Sequence, residues 1–209
     1  MGFSSLSPNV WYNSANTNQS ATLMNNDTYY YGGGILFDGN HSSVIMTHQP
    51  SMNVANLLTV ITWFYVANTA SNGRSLVSKT AKDGSRGYDF YNYGKNLEVV
   101  VSPMTSNNKI VVANTINANT WVMGAFTYDG VNIKGYLNGN LTNVSSGHAN
   151  SATDTDQPIY IGGRYTANNS ANLTSIMDGK IGIIQFYNKV LSNSEIFQSF
   201  SRYRGRFGI

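Results

Sequence analysis

The segment from Trp121 to Val144 constrains the fold most, because two turn dipeptides divide it into three apolar runs rich in β-branched and aromatic residues. The dipeptides are Asp129-Gly130 and Asn138-Gly139. Each suits a two-residue type I′ turn, which needs positive φ at both central residues and matches the twist of the adjoining strands. The segment therefore predicts a three-stranded antiparallel meander.

The rest of the chain shows the same pattern of short apolar runs separated by Gly, Asn, Asp and Ser, which is typical of strands joined by tight turns. No fixed-period repeat links these runs. The pattern indicates an all-β protein. The predicted strands are Gly34–Phe37, Ser43–Met46, Leu58–Val66, Ser75–Lys79, Tyr88–Tyr91, Leu97–Val101, Ile110–Val112, Trp121–Tyr128, Asn132–Leu137, Ile159–Gly162 and Lys180–Phe186.

A single short helix is predicted near the C-terminus, from Asn193 to about Phe200. Ser192 can cap it while Glu195, three residues on, returns a hydrogen bond to the Ser192 amide. Leu191 can pack on Ile196 as a hydrophobic staple. The spacing turns Ile196, Phe197 and Phe200 inward.

A length of 209 residues is enough for one sandwich domain. We therefore predict a single domain over residues 1–209. An Asn- and Ser-rich segment, 1–33, is expected to lie irregularly over a sandwich formed by 34–191. The helix occupies 192–200, and a basic tail occupies 201–209.

The chain has no cysteine, so its stability must come from packing and backbone pairing. Its first residues contain no basic segment followed by an apolar run, and no later stretch is long and apolar enough to span a bilayer. We expect neither a signal peptide nor membrane insertion.

The formal net charge of +3 arises in a chain with only 11% charged residues. Most Lys and Arg are scattered, and the one cluster, Arg202, Arg204 and Arg206, accompanies no nucleic-acid fold signature. We expect no nucleic acid partner. The tail is instead a candidate protein interface, with the three arginines facing an acidic neighbour and Phe207 and Ile209 filling a groove. The alternative is a frayed, solvated terminus.

Several stretches together resemble the laminin G-like and pentraxin-like domains of the concanavalin A-like superfamily. They follow one another in the family's order over nearly the whole chain. The resemblance implies a two-sheet antiparallel β-sandwich of the jelly-roll type with one short C-terminal helix. The stretches are Trp11-Tyr12, Leu23-Met24-Asn25, Tyr29, Ile35–Gly39, Thr59–Trp63, Asn119–Trp121, Phe126–Gly130, Gly135–Gly139, Ile159–Gly163, Asp178–Ile181 and Leu191–Ile196.

The two ends of the chain resemble the laminin G-like proteins of tailed bacteriophages and environmental viruses. The closing part of this resemblance is Glu195–Phe200 followed by Arg204–Ile209. It implies a non-catalytic structural or decoration protein of a virion, made in the host cytoplasm. Its partners would be capsid, neck or tail proteins, other copies of itself and host surface polysaccharide. The chain departs from the viral pattern at Asn13, where an acidic residue is usual.

A glycoside hydrolase of this fold needs two carboxylates close together on one strand face. The only glutamates are Glu98 and Glu195. Glu195 is accounted for by the helix cap, and Glu98 has no carboxylate two residues away. We therefore expect that the chain is not an enzyme, and a glycoside hydrolase of the same fold is the remote alternative.

Calcium is the one cofactor that the sequence suggests, because related domains often bind it through Asp side chains at an edge of the sandwich. Asp38, Asp129 and Asp178 each stand beside a glycine and are the candidate ligands. The alternative is that Asp-Gly is ordinary turn chemistry. A calcium-dependent lectin or adhesin not tied to a virion is accordingly the second functional hypothesis.

Glycan binding requires exposed aromatic rings with polar groups beside them. Strand alternation places Asp89, Tyr91 and Tyr93 on one face. Arg86 precedes this cluster, and the sequence offers a second cluster. The second cluster consists of Tyr160, Arg164 and Tyr165. The alternative for these tyrosines is cross-strand packing with the hydroxyl groups at the rim.

Overall fold

The computed structural model describes residues 10–12, 20–23, 29–31, 33–48, 57–80, 87–101, 109–148, 157–165 and 173–209. These residues form strands, one α-helix and a closing 3-10 turn at Arg204–Phe207. The elements are β1 (Val10–Tyr12), β2 (Ser20–Leu23), β3 (Tyr29–Tyr31), β4 (Gly34–Asp38), β5 (Val44–Met46), β6 (Leu58–Val66), β7 (Gly73–Thr80), β8 (Gly87–Tyr93), β9 (Asn96–Val101), β10 (Lys109–Ala113), β11 (Trp121–Tyr128), β12 (Ile133–Leu137), β13 (Asn140–Ser145), β14 (Ile159–Ile161), β15 (Arg164–Tyr165), β16 (Leu173–Thr174), β17 (Asp178–Tyr187) and α1 (Asn193–Tyr203).

The strands build two large antiparallel sheets and one small one. The eight-stranded sheet has the order β1-β2-β5-β14-β7-β8-β9-β10, and the seven-stranded sheet has the order β13-β12-β11-β6-β17-β4-β3. Strands β15 and β16 form a separate two-stranded ribbon. The predicted fold class, a two-sheet antiparallel sandwich with one short C-terminal helix, is confirmed.

Strand β6, at the centre of the seven-stranded sheet, is apolar on both faces. Val60 and Phe64 point into the core between the sheets, whereas Ile61 and Trp63 point away from it and are equally buried. This second face is covered by α1 and the 3-10 turn. Burying one such side chain contributes about 1.5–3 kcal/mol. The molecule therefore has three layers, and its second apolar cluster lies between sheet and helix.

The two predicted type I′ turns have different outcomes. Asn138 and Gly139 have φ values of 48° and 82°, as the turn requires. At the other dipeptide only Gly130 has positive φ. There, Asp129 Oδ1 accepts backbone N–H groups of Val131 at 2.9 Å and Asn132 at 2.6 Å. The aspartate thus forms a side-chain-capped loop, and the prediction of a type I′ turn is wrong there.

The N-terminal segment is more regular than predicted. Residues 10–12, 20–23 and 29–31 form the strands β1, β2 and β3. β1 and β2 lie at one edge of the eight-stranded sheet, and β3 lies at an edge of the seven-stranded sheet. The expectation of an irregular 1–33 segment is wrong for these residues. Such short strands are set by backbone pairing with neighbouring strands, which a local sequence pattern does not show.

Helix α1 begins as predicted. The reciprocal capping hydrogen bonds between Ser192 and Glu195 are both present, and Leu191 and Ile196 belong to the same buried cluster. The helix continues three residues beyond the predicted end at Phe200. Phe197, expected to face inward, is 49% exposed. Among the described residues, no helix has the length and apolarity needed to cross a membrane.

The basic tail is part of the folded structure. The 3-10 turn places the Phe207 ring 4.6 Å from that of Trp63 and 4.5 Å from that of Trp121, measured between centroids. The Arg204 Nε atom donates to the Ile209 carbonyl at 2.8 Å. The frayed terminus is therefore wrong, and Phe207 is buried within the molecule and not free to fill a partner's groove. The interface role of Ile209, which is only partly buried, stays a prediction. Arg202, Arg204 and Arg206 remain exposed.

Candidate functional site

The candidate site lies on the outer face of the eight-stranded sheet, and the alternation of β8 creates it. Tyr88 and Phe90 point into the sandwich, where their ring centroids lie 5.8 and 5.2 Å from that of Phe126. The intervening residues Asp89 and Tyr91, with Tyr93 beyond, must face the other way. The predicted shared face is confirmed.

Asp89 is buried on this face, with 1% of its surface exposed. Ser75 Oγ donates a hydrogen bond to Asp89 Oδ1, and Arg164 Nη1 donates to Asp89 Oδ2 at 2.9 Å. Burial raises the pKa of Asp89, and the Arg164 charge and the two hydrogen bonds oppose that rise without cancelling it. The ion pair with Asp89 anchors Arg164 to the sheet, and with it the start of β15.

Glu98 forms a second anchor on the neighbouring strand β9, directly opposite Tyr91. The Tyr91 hydroxyl donates to Glu98 Oε2 at 2.5 Å, and Lys109 Nζ lies 3.1 Å from the same oxygen. Asn96 Nδ2 donates to Glu98 Oε1 at 3.1 Å. These contacts fix Tyr91, Asn96 and Lys109 around one buried carboxylate.

Burial and the neighbouring Glu98 keep Tyr91 neutral. Burial raises the pKa of its hydroxyl, and the hydrogen bond and negative charge of Glu98 raise it further. Tyr91 therefore keeps its proton at any ordinary pH and remains a hydrogen-bond donor to Glu98. Its orientation on the face is correspondingly fixed.

The side chains that reach solvent differ from those that hold the site together. Tyr93 is 45% exposed. The side chains of Lys109 and Arg164 are 38% and 33% exposed, whereas those of their partners Glu98 and Asp89 are 4% and 1% exposed. A ligand on this face would meet an aromatic ring, amide groups and cationic N–H donors, with the carboxylates beneath them.

The structure merges the two clusters that the sequence suggested, since Arg164 of the second bonds Asp89 of the first. Tyr160 also lies on this face, two strands away from Asp89 through Ser78. It is only 8% exposed, which favours the packing alternative for Tyr160. Arg86 and the side chain of Tyr165 lie outside the described part of the structure.

Sequence reasoning did not assign Glu98, Lys109, Ser75 and Asn96 to the binding face. One signal could have found Glu98. The short Tyr93-Gly94-Lys95-Asn96 link joins β8 to β9 with Tyr93 opposite Asn96, which places Tyr91 opposite Glu98. A two-residue hairpin loop fixes this register. Lys109 and Ser75 depend on the order of more distant strands and carry no comparable signal.

The three predicted calcium ligands do not converge. Asp38 and Asp178 are paired across β4 and β17 at one end of the seven-stranded sheet. Asp129 follows β11 at the opposite end, a strand length of about 26 Å away. Within the described residues, no group of three or more His, Asp or Glu could hold a metal ion. The prediction of one calcium site from these three carboxylates is wrong.

Each of the three aspartates has a structural role instead. Asp38 Oδ1 accepts hydrogen bonds from Ser42 Oγ and the backbone N–H groups of residues 40–42. Burial would raise the pKa of Asp38, but these hydrogen bonds lower it well below its usual value. Asp178 accepts from Asn68 Nδ2 at 2.5 Å and lies 3.8 Å from Arg74 Nη2. At these three positions the Asp-Gly pairs form turns or lie at the ends of strands.

Comparison with known proteins agrees with the fold. A family model for the concanavalin A-like lectin/glucanases superfamily matches residues 38–197. The chain therefore belongs to that superfamily, and the resemblance identified in its sequence is confirmed at this level. No curated protein matches the chain in sequence.

Three solved structures illustrate the similarity. The botulinum neurotoxin serotype D ligand binding domain, in complex with N-acetylneuraminic acid, is 15% identical, with a TM-score of 0.61 over 93% of this chain and 44% of that chain. The binding domain of Paraclostridial Mosquitocidal Protein 1 is 16% identical, with a TM-score of 0.61 over 94% and 48%. The Ruminococcus gnavus IT-sialidase CBM40, bound to α2,3-sialyllactose, is 16% identical, with a TM-score of 0.59 over 70% and 83%. The chain thus spans about half the length of the two toxin domains.

Proposed function

We propose that the chain is a non-catalytic carbohydrate-binding domain that contacts glycans with the outer face of its eight-stranded sheet. The observation that carries the proposal is the polar network on that face. An exposed ring, Tyr93, shares this face with donors held by the buried carboxylates Asp89 and Glu98. The donors are Asn96, Lys109 and Arg164.

This arrangement suits a sugar for chemical reasons. An aromatic ring gives an apolar surface for the C–H face of a pyranose, and fixed polar groups beside it bond the hydroxyl groups. Because the network positions its donors before any ligand arrives, little side-chain entropy remains to be lost on binding. The solved structures of botulinum neurotoxin serotype D and CBM40 carry sugar ligands, which supports the proposal at the level of the fold.

The non-catalytic part of the proposal follows from the state of the two carboxylates. Asp89 and Glu98 share one face on adjacent strands, as a glycosidase pair would. Each is nearly inaccessible and has a cation and a hydroxyl group as partners. A general acid or nucleophile has to reach the glycosidic oxygen or anomeric carbon. These oxygens are already engaged, so we expect no hydrolysis of any glycan that the chain binds.

A glycan array tests the proposed function directly. Labelled protein should bind a distinct subset of glycans and leave them intact in chromatograms taken after long incubation. Binding should persist in a chelator, because the carboxylates of the described part of this face are buried and already paired with cations. Failure to bind any of a broad panel of neutral and acidic glycans would refute the proposal, and released product would refute its non-catalytic part.

The association with a virion stays a prediction from the resemblance of the two ends of the chain. In that setting the same binding face would attach a decorated particle to host polysaccharide. Mass spectrometry of particles purified from the source would test it. Particles that lack this polypeptide would contradict the association with a virion and would leave the carbohydrate-binding proposal unaffected.

A further inference from the structure

We infer that the binding face selects acidic glycans whose sugars carry a carboxylate group. This inference rests on the proposed function and specifies its ligand class. It comes from the layering of charge on the face, in which both anions are buried and both cations reach the surface.

The layering is seen in two ion pairs. In the pair Arg164–Asp89 the arginine side chain is 33% exposed and the aspartate 1%. In the pair Lys109–Glu98 the lysine side chain is 38% exposed and the glutamate 4%. An incoming sugar therefore meets the guanidinium and the ammonium groups first. The carboxylate oxygens, which would otherwise accept bonds from sugar hydroxyl groups, lie behind them.

Arg164 and Lys109 each have more N–H donors than their buried carboxylate engages. A guanidinium group carries five N–H donors, and Asp89 engages Nη1 of Arg164. Among the described residues, Arg164 Nε also has no hydrogen-bond acceptor, but it is buried, so a ligand would meet the donors on the exposed part of the side chain, which is 33% accessible. Lys109 carries three N–H donors, one of which meets Glu98 at 3.1 Å. The face as a whole is rich in donors.

A carboxylate is a stronger hydrogen-bond acceptor for these donors than a hydroxyl group is. Hydrogen bonds to an ionised acceptor are roughly twice as strong as those between neutral groups, and an arginine can hold both carboxylate oxygens at once. A neutral glycan would cover the same N–H groups with weaker acceptors. Desolvating a charged donor without a good partner is costly.

The four formal charges of the two pairs cancel, so the preference does not come from a broad positive field. It comes from N–H groups that the buried anions hold in fixed directions. This distinguishes the face from the exposed cluster Arg202, Arg204 and Arg206, where three cations are carried on α1 and the 3-10 turn. A polyanion attracted by charge alone would prefer that cluster, and the cluster therefore serves as the control.

The test uses matched pairs of probes on the whole chain, measured by calorimetry. The pairs are 3′-sialyllactose with lactose, oligogalacturonate with its methyl ester, and hyaluronan with its carboxyl-reduced form; dextran sulfate with dextran controls for sulfate. At least one carboxylated probe should bind about tenfold tighter than its neutral partner, a difference typical of one charged hydrogen bond. Equal binding within every pair that binds would overturn the inference and leave the proposed function standing.

Variants identify the residues that cause the preference for carboxylated probes. The double variant Asp89→Asn with Arg164→Gln removes both charges of that pair and leaves neither unpaired, and it should clearly lower the ratio between paired probes. If that double variant does not fold, Lys109→Gln combined with Glu98→Gln removes the second pair in the same way and should also lower the ratio. Arg202→Gln is the matched control and should change nothing. Loss of the preference in Arg202→Gln alone, or stronger binding of dextran sulfate than of every carboxylated probe, would overturn the inference.

Discussion

The ring of Phe207 stacks on the indole of Trp63, with 4.6 Å between centroids and 17° between planes. Trp63 lies on the central strand of the seven-stranded sheet, and Phe207 lies in the closing 3-10 turn. Phe200 stacks on the same indole at 5.7 Å. The C-terminal residues are thus a structural layer that completes the burial of Trp63.

Replacing Phe207 with alanine should destabilise the fold by about 3 kcal/mol, because removal of a buried phenylalanine ring leaves a cavity. Equilibrium denaturation in urea would measure the loss. Phe197→Ala is the control, since that ring belongs to the same C-terminal region and is 49% exposed. It should cost less than about 1 kcal/mol. Equal losses in the two variants would contradict the structural role of Phe207.

Gly162 and Gly147 give a matched pair of backbone variants. Both have positive φ, 76° and 91°. A Cβ at Gly162 would clash with the Phe37 ring, whereas one at Gly147 would meet nothing within 4 Å. Gly147→Ala should cost about 1–2 kcal/mol for the backbone conformation alone. Gly162→Ala should cost at least about 1–3 kcal/mol more from overpacking. Similar unfolding midpoints for the two variants would refute the packing at Phe37.

The cap of α1 predicts a specific pH dependence. The hydrogen bond from Lys189, together with those from Ser192, lowers the pKa of Glu195 from 4.5 to about 2. Because the folded pKa is depressed, Glu195 stabilises the fold fully above pH 4.5, and this contribution is lost as the pH falls towards 2. Glu195→Gln should therefore be less stable than the wild type near neutral pH. The difference in unfolding free energy between the two proteins should decrease in denaturation curves recorded at successively lower pH. A difference that does not change with pH would argue against the depressed pKa of Glu195 as its cause.

The exposed tyrosine of the binding face gives a variant that separates binding from folding. Tyr93→Ala should weaken glycan affinity roughly tenfold, because a ring contact is worth about 1 kcal/mol or slightly more. Its unfolding free energy should stay within about 0.5 kcal/mol of the wild type, as is usual for an exposed position. Calorimetry with any glycan found on the array would measure the affinity. Unchanged affinity would remove Tyr93 from the site.

Much of the sandwich was predictable because its central strands carry local signals. Leu58–Val66 and Trp121–Tyr128 have the predicted bounds, and Asn138-Gly139 forms the predicted turn. The strand Tyr29–Tyr31 was not predictable, since its regularity comes from pairing with β4. The position of Phe207 was also not predictable, because nothing in the local sequence pattern shows that the outer face of β6 is buried by another element.

The candidate site was predictable only in part. Alternation along β8 correctly gave the shared face of Asp89, Tyr91 and Tyr93. That Arg164 reaches Asp89 depends on the crossover that brings β14 beside β7, and strand order of this kind is not encoded locally. The same non-local order separates Asp129 from Asp38 and Asp178, so three similar Asp-Gly pairs suggested a site that the fold does not form.

The two apolar faces of β6 have a consequence for how the protein is made. A ribosome synthesises β6 long before α1 and the 3-10 turn, so a nascent chain that has already paired its sheets still presents Ile61 and Trp63 to water. Such a partly folded chain exposes a flat apolar sheet surface, which favours chaperone capture or self-association. Completion of the domain therefore waits for its last helical turn, and a stalled or truncated product should aggregate.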